Sequence, residues 1–236
     1  MHNKIVKKVI KYLLRGLLGI FILVLLLLAL DSTSIQVDEN AWKVVETSSY
    51  IKEKDVVLTN NLLKNFGKKK WMPHGTELAV LRALSHYPEL KDVPIIFSYS
   101  VSEYELRSRP EPLSVLLPWR ERRFEVLISQ SLPPELAGAA LHELPYNAQI
   151  GVLGHELAHT VSYLDKSSLA LVWLGLKYMF SADFRKAYER ETDRVTIEHQ
   201  LRPQLREWSK AVHDKLEQVG RGGNYLTVEE IDAIGK

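Results

Sequence analysis

Residues 145–164 read PYNAQIGVLGHELAHTVSYL. Pro145 suits the start of a helix, where a missing N–H costs nothing. Ile150, Leu153, Leu157, Val161 and Leu164 then recur at spacings of 3, 4, 4 and 3, the stripe of one long helix with an apolar face. His155 and His159 are one turn apart and lie off that stripe. Their rings project from the same side, so a nitrogen of each can reach one tetrahedral zinc ion. Glu156 sits one position round and is placed to take a proton from a water at the metal. Gly154 and Ala158 keep the helix surface low beside these side chains. A neighbouring look-alike, His142-Glu143-Leu144-Pro145-Tyr146, carries Tyr146 where the second histidine should be. Pro145 also breaks its helical register, so it is not a metal site.

A catalytic zinc takes three protein ligands and leaves one position for water. Glu189-Arg190-Glu191-Thr192-Asp193 offers carboxylates on a later helix, expected over Ser181–His199. Glu189 and Asp193 share a face at i, i+4, whereas Glu191 points about 200° away from Glu189. One carboxylate is expected to bind metal while Asp193 accepts an N–H from a ligand histidine. The competitor is Asp165, six residues after His159, a spacing that resembles the metzincin pattern. That pattern needs a glycine turn; here Ser162 holds the glycine position and the apolar stripe runs on to Leu164.

GHELAH followed by E-x-x-x-D on a separate helix resembles the gluzincin metallopeptidases, specifically the M48 group of HtpX-like and Ste24-like membrane proteases. The resemblance covers about residues 145–200. It implies that Glu189 is the third zinc ligand, maps the motif's aspartate onto Asp193, and implies a zinc-dependent peptidase acting on a protein or peptide. Two features depart from the group. Thr192 stands where an alanine is usual, and the chain lacks the several membrane spans of well-known members.

The chain has 236 residues, 46% apolar and 25% charged, and no cysteine. It is long enough for one domain with a sizeable core, and thiol chemistry and thiolate zinc sites are excluded. The net charge of +2 hides an asymmetry, because residues 1–15 carry five basic residues and no acid. The remainder holds 26 basic against 29 acidic residues, which removes the electrostatic footprint of a nucleic-acid binder.

Gly16–Leu30 is uncharged and aliphatic. Extended back through Tyr12 it gives nineteen residues and roughly 28 Å of helix, close to a ~30 Å hydrocarbon core. The reading is a basic flank and transmembrane anchor over 1–30, a linker over 31–45 and a metallopeptidase domain over 46–236. The basic flank predicts a single-pass cell-membrane protein with a cytoplasmic N-terminus and an extracytoplasmic catalytic domain. A cleaved signal peptide is the competing reading of this segment.

Further along, Thr76–Tyr87 has helical spacing with Thr76 as N-cap, and Val93–Tyr99 alternates like a half-buried strand. Arg123–Ser129 reads as a second strand and as the candidate edge for an extended substrate. The proline-rich stretch 105–120 reads as loop, Lys68–Lys70 as a solvated basic loop, and Ser168–Phe180 as a core helix. An interfacial role for Trp173, Tyr178 and Phe180 is the livelier reading of that last segment. A helix is expected over Pro203–Leu216, a tight turn at Gly220–Gly223, and a capping box of Thr227 and Glu230. His199 is weighed as an oxyanion donor against a surface histidine. The fold class expected is α+β: an N-terminal transmembrane helix, then a mostly helical zincin-like domain with a small β-sheet. The rival reading is a non-catalytic, anchored interaction or assembly protein with a structural zinc. Retention of Glu156 argues against it, since a structural site has no use for a base there.

Overall fold

The computed structural model describes residues 45–234 apart from 103, together with a few helical positions between Lys11 and Ile22. The domain is α+β. Its helices are α1 (Lys52–Phe66), α2 (Glu77–Leu84), α3 (Tyr146–Leu164), α4 (Ser168–Phe180), α5 (Ala182–Glu198), α6 (Arg202–Gln218) and α7 (Val228–Ala233). Its strands are β1 (Lys70–Trp71), β2 (Ile95–Ser100), β3 (Leu106–Pro110) and β4 (Phe124–Ser129).

The expected N-terminal transmembrane helix is corrected here, and with it the single-pass membrane location. Among the described residues no helix is long and apolar enough to cross a membrane. The described helical positions lie between Lys11 and Ile22 and include Lys11 and Arg15. Most of the expected anchor and the linker over 31–45 lie outside the described residues.

The sheet runs in the order β1-β2-β4-β3. β1, β2 and β4 are parallel, with Ile95 opposite Phe124, and β3 is antiparallel to β4, with Leu106 opposite Ile128. Ile95, Phe97, Phe124, Val126 and Ile128 are buried, whereas Ile96 and Leu127 on the other face are half-buried. This is the alternation of a sheet with one face on the core.

Helix α3 is the centre of the molecule. Ile150, Leu153 and Leu157 are fully buried, and each such side chain contributes about 1.5–3 kcal/mol of transfer free energy. Gly151 lets α6 approach directly: a Cβ there would lie 2.2 Å from the Gln204 carbonyl oxygen. Tyr87 donates to the Gly154 carbonyl at 2.7 Å, tying the end of α2 to the middle of α3. The buried Asp55 on α1 accepts from Arg82 Nε at 2.9 Å and Tyr146 Oη at 2.7 Å, joining α1, α2 and the start of α3.

Three further expectations need correction. Arg123–Ser129 is not an edge, because β4 lies between β2 and β3. The edge strands are β1 and β3, and β3 lies inside the stretch expected to be loop. Helix α4 forms as predicted but is not a core helix. It buries only Ser168 and Leu171, while Leu169, Val172, Trp173, Leu176, Met179 and Phe180 face solvent. Lys70 is not solvated: its ammonium donates to the carbonyls of Lys68, Leu90, Lys91 and Val93 at 2.8–3.2 Å. Burial lowers that group's pKa to about 8.

Candidate metal centre

α3 and α5 cross where each carries its polar face. Ser181 starts α5 by accepting from the Phe184 N–H at 3.2 Å, and the helix then presents Glu189, Thr192, Asp193 and Thr196 inward. His155, Glu156 and His159 meet them from α3, and all of these side chains are buried. Glu189 Oε2 lies 3.0 Å from His155 Nε2 and 3.2 Å from His159 Nε2. The ligating atoms of His155, His159 and Glu189 all fall within 4.8 Å of one another, so this group can hold a metal ion. At metal–ligand distances of about 2.0–2.1 Å the edge of a coordination tetrahedron is about 3.3 Å. The two contacts to Glu189 are close to that edge.

The outer partners fix which nitrogens face the centre. His155 Nδ1 is 2.8 Å from Asp193 Oδ1, and Asp193 Oδ2 accepts from the Leu226 N–H at 2.8 Å. A carboxylate can only accept, so Nδ1 carries a proton, and Nε2 is the nitrogen turned to Glu189 and left to bind a metal once its own proton is given up. Thr192 donates its one hydroxyl proton to the Tyr188 carbonyl at 2.9 Å, and its oxygen lies 3.2 Å from His159 Nδ1. His159 is therefore also protonated at Nδ1. The Nε2 atoms of both histidines and Glu189 Oε2 thus converge on one point, which a proton shared with Glu189 fills in the absence of metal and which a metal ion can take in its place.

The electrostatics point the same way. Glu156, Glu189 and Asp193 put three carboxylates into one buried cluster. Burial opposes ionising Glu189, yet the His159 and His155 rings outweigh it and hold its pKa well below the usual range. Burial also opposes charging His155, yet Asp193 and Glu189 outweigh it and hold its pKa well above the usual range. A group of acceptors that pulls positive charge to itself is what a divalent ion satisfies.

Glu156 differs from the ligands. Its Oε2 is buried and has no hydrogen-bond partner among the described residues. Burial raises its pKa, opposed by the two histidines and by the backbone of Ser108. β3 is held against α3 at this point, with Ser108 Oγ 2.9 Å from Thr160 Oγ1 and Tyr163 Oη 3.4 Å from the Ser108 carbonyl.

Of the residues singled out in the sequence, His155, Glu156, His159, Glu189 and Asp193 come together here. Asp165 does not: it caps the C-terminus of α3, exposed and paired with Lys166 at 3.2 Å. Glu191 faces solvent beside Arg194, and His142 is exposed. His199 stands outside the cluster, bonded to Glu89 at 2.5 Å and stacked on Tyr87 at 4.2 Å. The sequence reading did not assign the site's aromatic surround. Tyr225 and Trp208 each lie 5.6 Å from the His155 ring, and Tyr188 lies 5.2 Å from His159. These residues come from three separate segments with no shared spacing, so periodicity could not have gathered them.

No family model matches the chain, and neither a curated protein nor a solved structure does. The likeness to M48-type gluzincins therefore rests on the motif residues alone.

Proposed function

We propose that the chain is a zinc-dependent endopeptidase of the M48-like gluzincin type. His155, His159 and Glu189 are the zinc ligands in this reading, Asp193 orients His155, and Glu156 is the general base. The observation that carries it is the unpartnered Oε2 of Glu156 beside three converging ligand atoms. Two imidazoles and one carboxylate are a donor set that suits zinc, with a fourth position left for water.

Zinc held there supplies a Lewis acid that polarises a carbonyl and acidifies water. Glu156 takes the proton of the attacking water at its free oxygen and delivers it to the leaving amine. The raised carboxyl pKa suits both halves of that transfer, since a base that binds its proton more firmly can also hand it on near neutral pH. The substrate is an extended peptide added to the open side of β3. Glu105 and Glu111 flank that strand with bonds to the β4 segment, Ser129 N–H to the Glu105 carbonyl and Glu111 N–H to the Arg123 carbonyl. Alternation turns the backbone groups of Leu106 and Ser108 away from β4; the Ser108 carbonyl there meets the Tyr163 hydroxyl at 3.4 Å and its backbone meets Glu156, so a peptide pairing at Ser108 displaces those bonds. Ser108 is also the residue beside Glu156, so a peptide paired there passes over the base.

The test uses the full chain with unfolded casein as the probe. Cleavage should stop on chelation and return with zinc, and Glu156→Gln should retain zinc while losing about 10²–10⁴-fold in rate. Near-parental activity in Glu156→Gln sinks the mechanism. Tight zinc without cleavage, and without an exchangeable water at the metal, favours the structural-zinc reading.

A further inference from the structure

Helix α4 is only partly packed, with Leu174 half-buried against the core. Only Ser168 and Leu171 are buried, both near its start, and six apolar side chains along it face solvent. Its C-terminal half nevertheless reaches the cluster of His155, His159 and Glu189 through Tyr178. The Tyr178 hydroxyl donates to Glu189 Oε1. The Tyr178 ring stands edge-on to Tyr188 at 6.0 Å, and the Arg185 guanidinium lies 5.7 Å over it.

The two oxygens of Glu189 are thereby divided. Oε2 faces both histidine nitrogens, and Oε1 is engaged by the phenol. A carboxylate with both oxygens free can bind a metal through either or through both at once. Binding through both fills a coordination position that a water otherwise takes. We propose that Tyr178 is a positioning residue that keeps Glu189 a one-oxygen ligand and so preserves the open position at the metal. The inference rests on the metal-dependent reading given above, and it assigns a role to a residue outside both motifs.

The experiment replaces Tyr178 by Phe, which keeps the ring and its packing and removes only the donor. Tyr99→Phe, whose hydroxyl lies 3.1 Å from the His74 carbonyl on the exposed end of β2, serves as the control. Parent and variants are loaded with Co²⁺ at a thousandfold excess over the parent's Kd, and the visible d–d absorption is recorded. Steady-state cleavage of casein is measured on the same samples. Tyr178→Phe should take up one Co²⁺ and show a weakened visible band, because cobalt absorbs less as its coordination number rises. Its kcat should fall about 10–100-fold with KM unchanged, the range seen when an outer partner of a metal ligand is removed. The spectrum decides the matter whether or not casein is cleaved.

A spectrum and kcat equal to the parent's overturn the role of Tyr178 and leave the metal centre standing. Failure of Tyr178→Phe to load cobalt also overturns it, since the phenol would then be required for binding itself. If the parent takes up no cobalt, the metal reading falls and this inference falls with it.

Discussion

Asp193→Asn tests the centre through a residue that would never touch the metal. Asp193 uses both oxygens as acceptors, from the His155 Nδ1–H at 2.8 Å and the Leu226 N–H at 2.8 Å, and it is 1% exposed. Asparagine supplies one acceptor and one NH₂ donor in the same volume. If the amide oxygen stays on Leu226, the NH₂ faces His155 and forces its proton round to Nε2. That proton then points at Glu189 Oε2, 3.0 Å away, and removes the lone pair that would bind metal. If the amide oxygen stays on His155, the NH₂ opposes the Leu226 N–H, and two buried donors go unsatisfied at about 1–3 kcal/mol each. In either arrangement His155 also loses a charged acceptor.

Loss of such a partner typically weakens metal binding 10–100-fold, about 1.4–2.7 kcal/mol. The assay is the zinc Kd, from competition with a calibrated chelator, for the parent, Asp193→Asn and Glu191→Ala. Glu191 is 65% exposed and contacts only Arg194 among the ion pairs of its helix, so its variant should stay within about twofold of the parent. If Asp193→Asn also holds zinc within twofold of the parent, the assignment of Asp193 and the inferred histidine tautomer are both wrong.

Glu189→Ala should lose zinc at chelator concentrations where Asp165→Ala keeps it, and the opposite order would revive the metzincin-like alternative. Two histidines away from the cluster should shape stability against pH. Burial lowers His86 to about 4 from 6.5, so the stability it brings is lost as pH falls from 6.5 through 4. Burial opposes charge on His199, but the Glu89 carboxylate outweighs it and raises its pKa above 6.5; its stability is present below 6.5 and lost as pH rises through the higher folded value. Urea midpoints from pH 4 to 9 should show His199→Gln flattening the alkaline decline, and curves parallel to the parent's refute that account.

What could be read from the sequence was what repeats along it. The buried stripe of α3 and the i, i+4 pairs on α3 and α5 gave both motif helices, because helical periodicity is local and survives any tertiary context. Ser181 and Thr227 marked helix starts for the same reason, and both caps form, Glu230 N–H to Thr227 Oγ1 at 3.3 Å in the second. α1 was not read at all. Its apolar residues Val56, Val57 and Leu58 are exposed, and the residues it buries are Asp55, Leu62 and Phe66, so no clean stripe exists to find. Lys70 was misread because a lysine is solvated unless a particular set of carbonyls surrounds it, and three of these come from a loop about twenty residues away.

β3 is the instructive miss. Leu106-Arg107-Ser108-Arg109-Pro110 alternates inward and outward, but its outward positions are arginines and its last residue has no N–H. Those features look like loop in a one-dimensional reading, and on an edge strand they are what keeps other chains from pairing at random. Arg109 is further held by Glu125 across the strand pair at 2.9 Å. The same strand carries Ser108 against Glu156. In the proposed reading a peptide that adds to β3 would have to displace the Ser108 carbonyl from Tyr163 and its backbone from Glu156, so the features that hid the strand are the ones that would tie pairing to the site of chemistry.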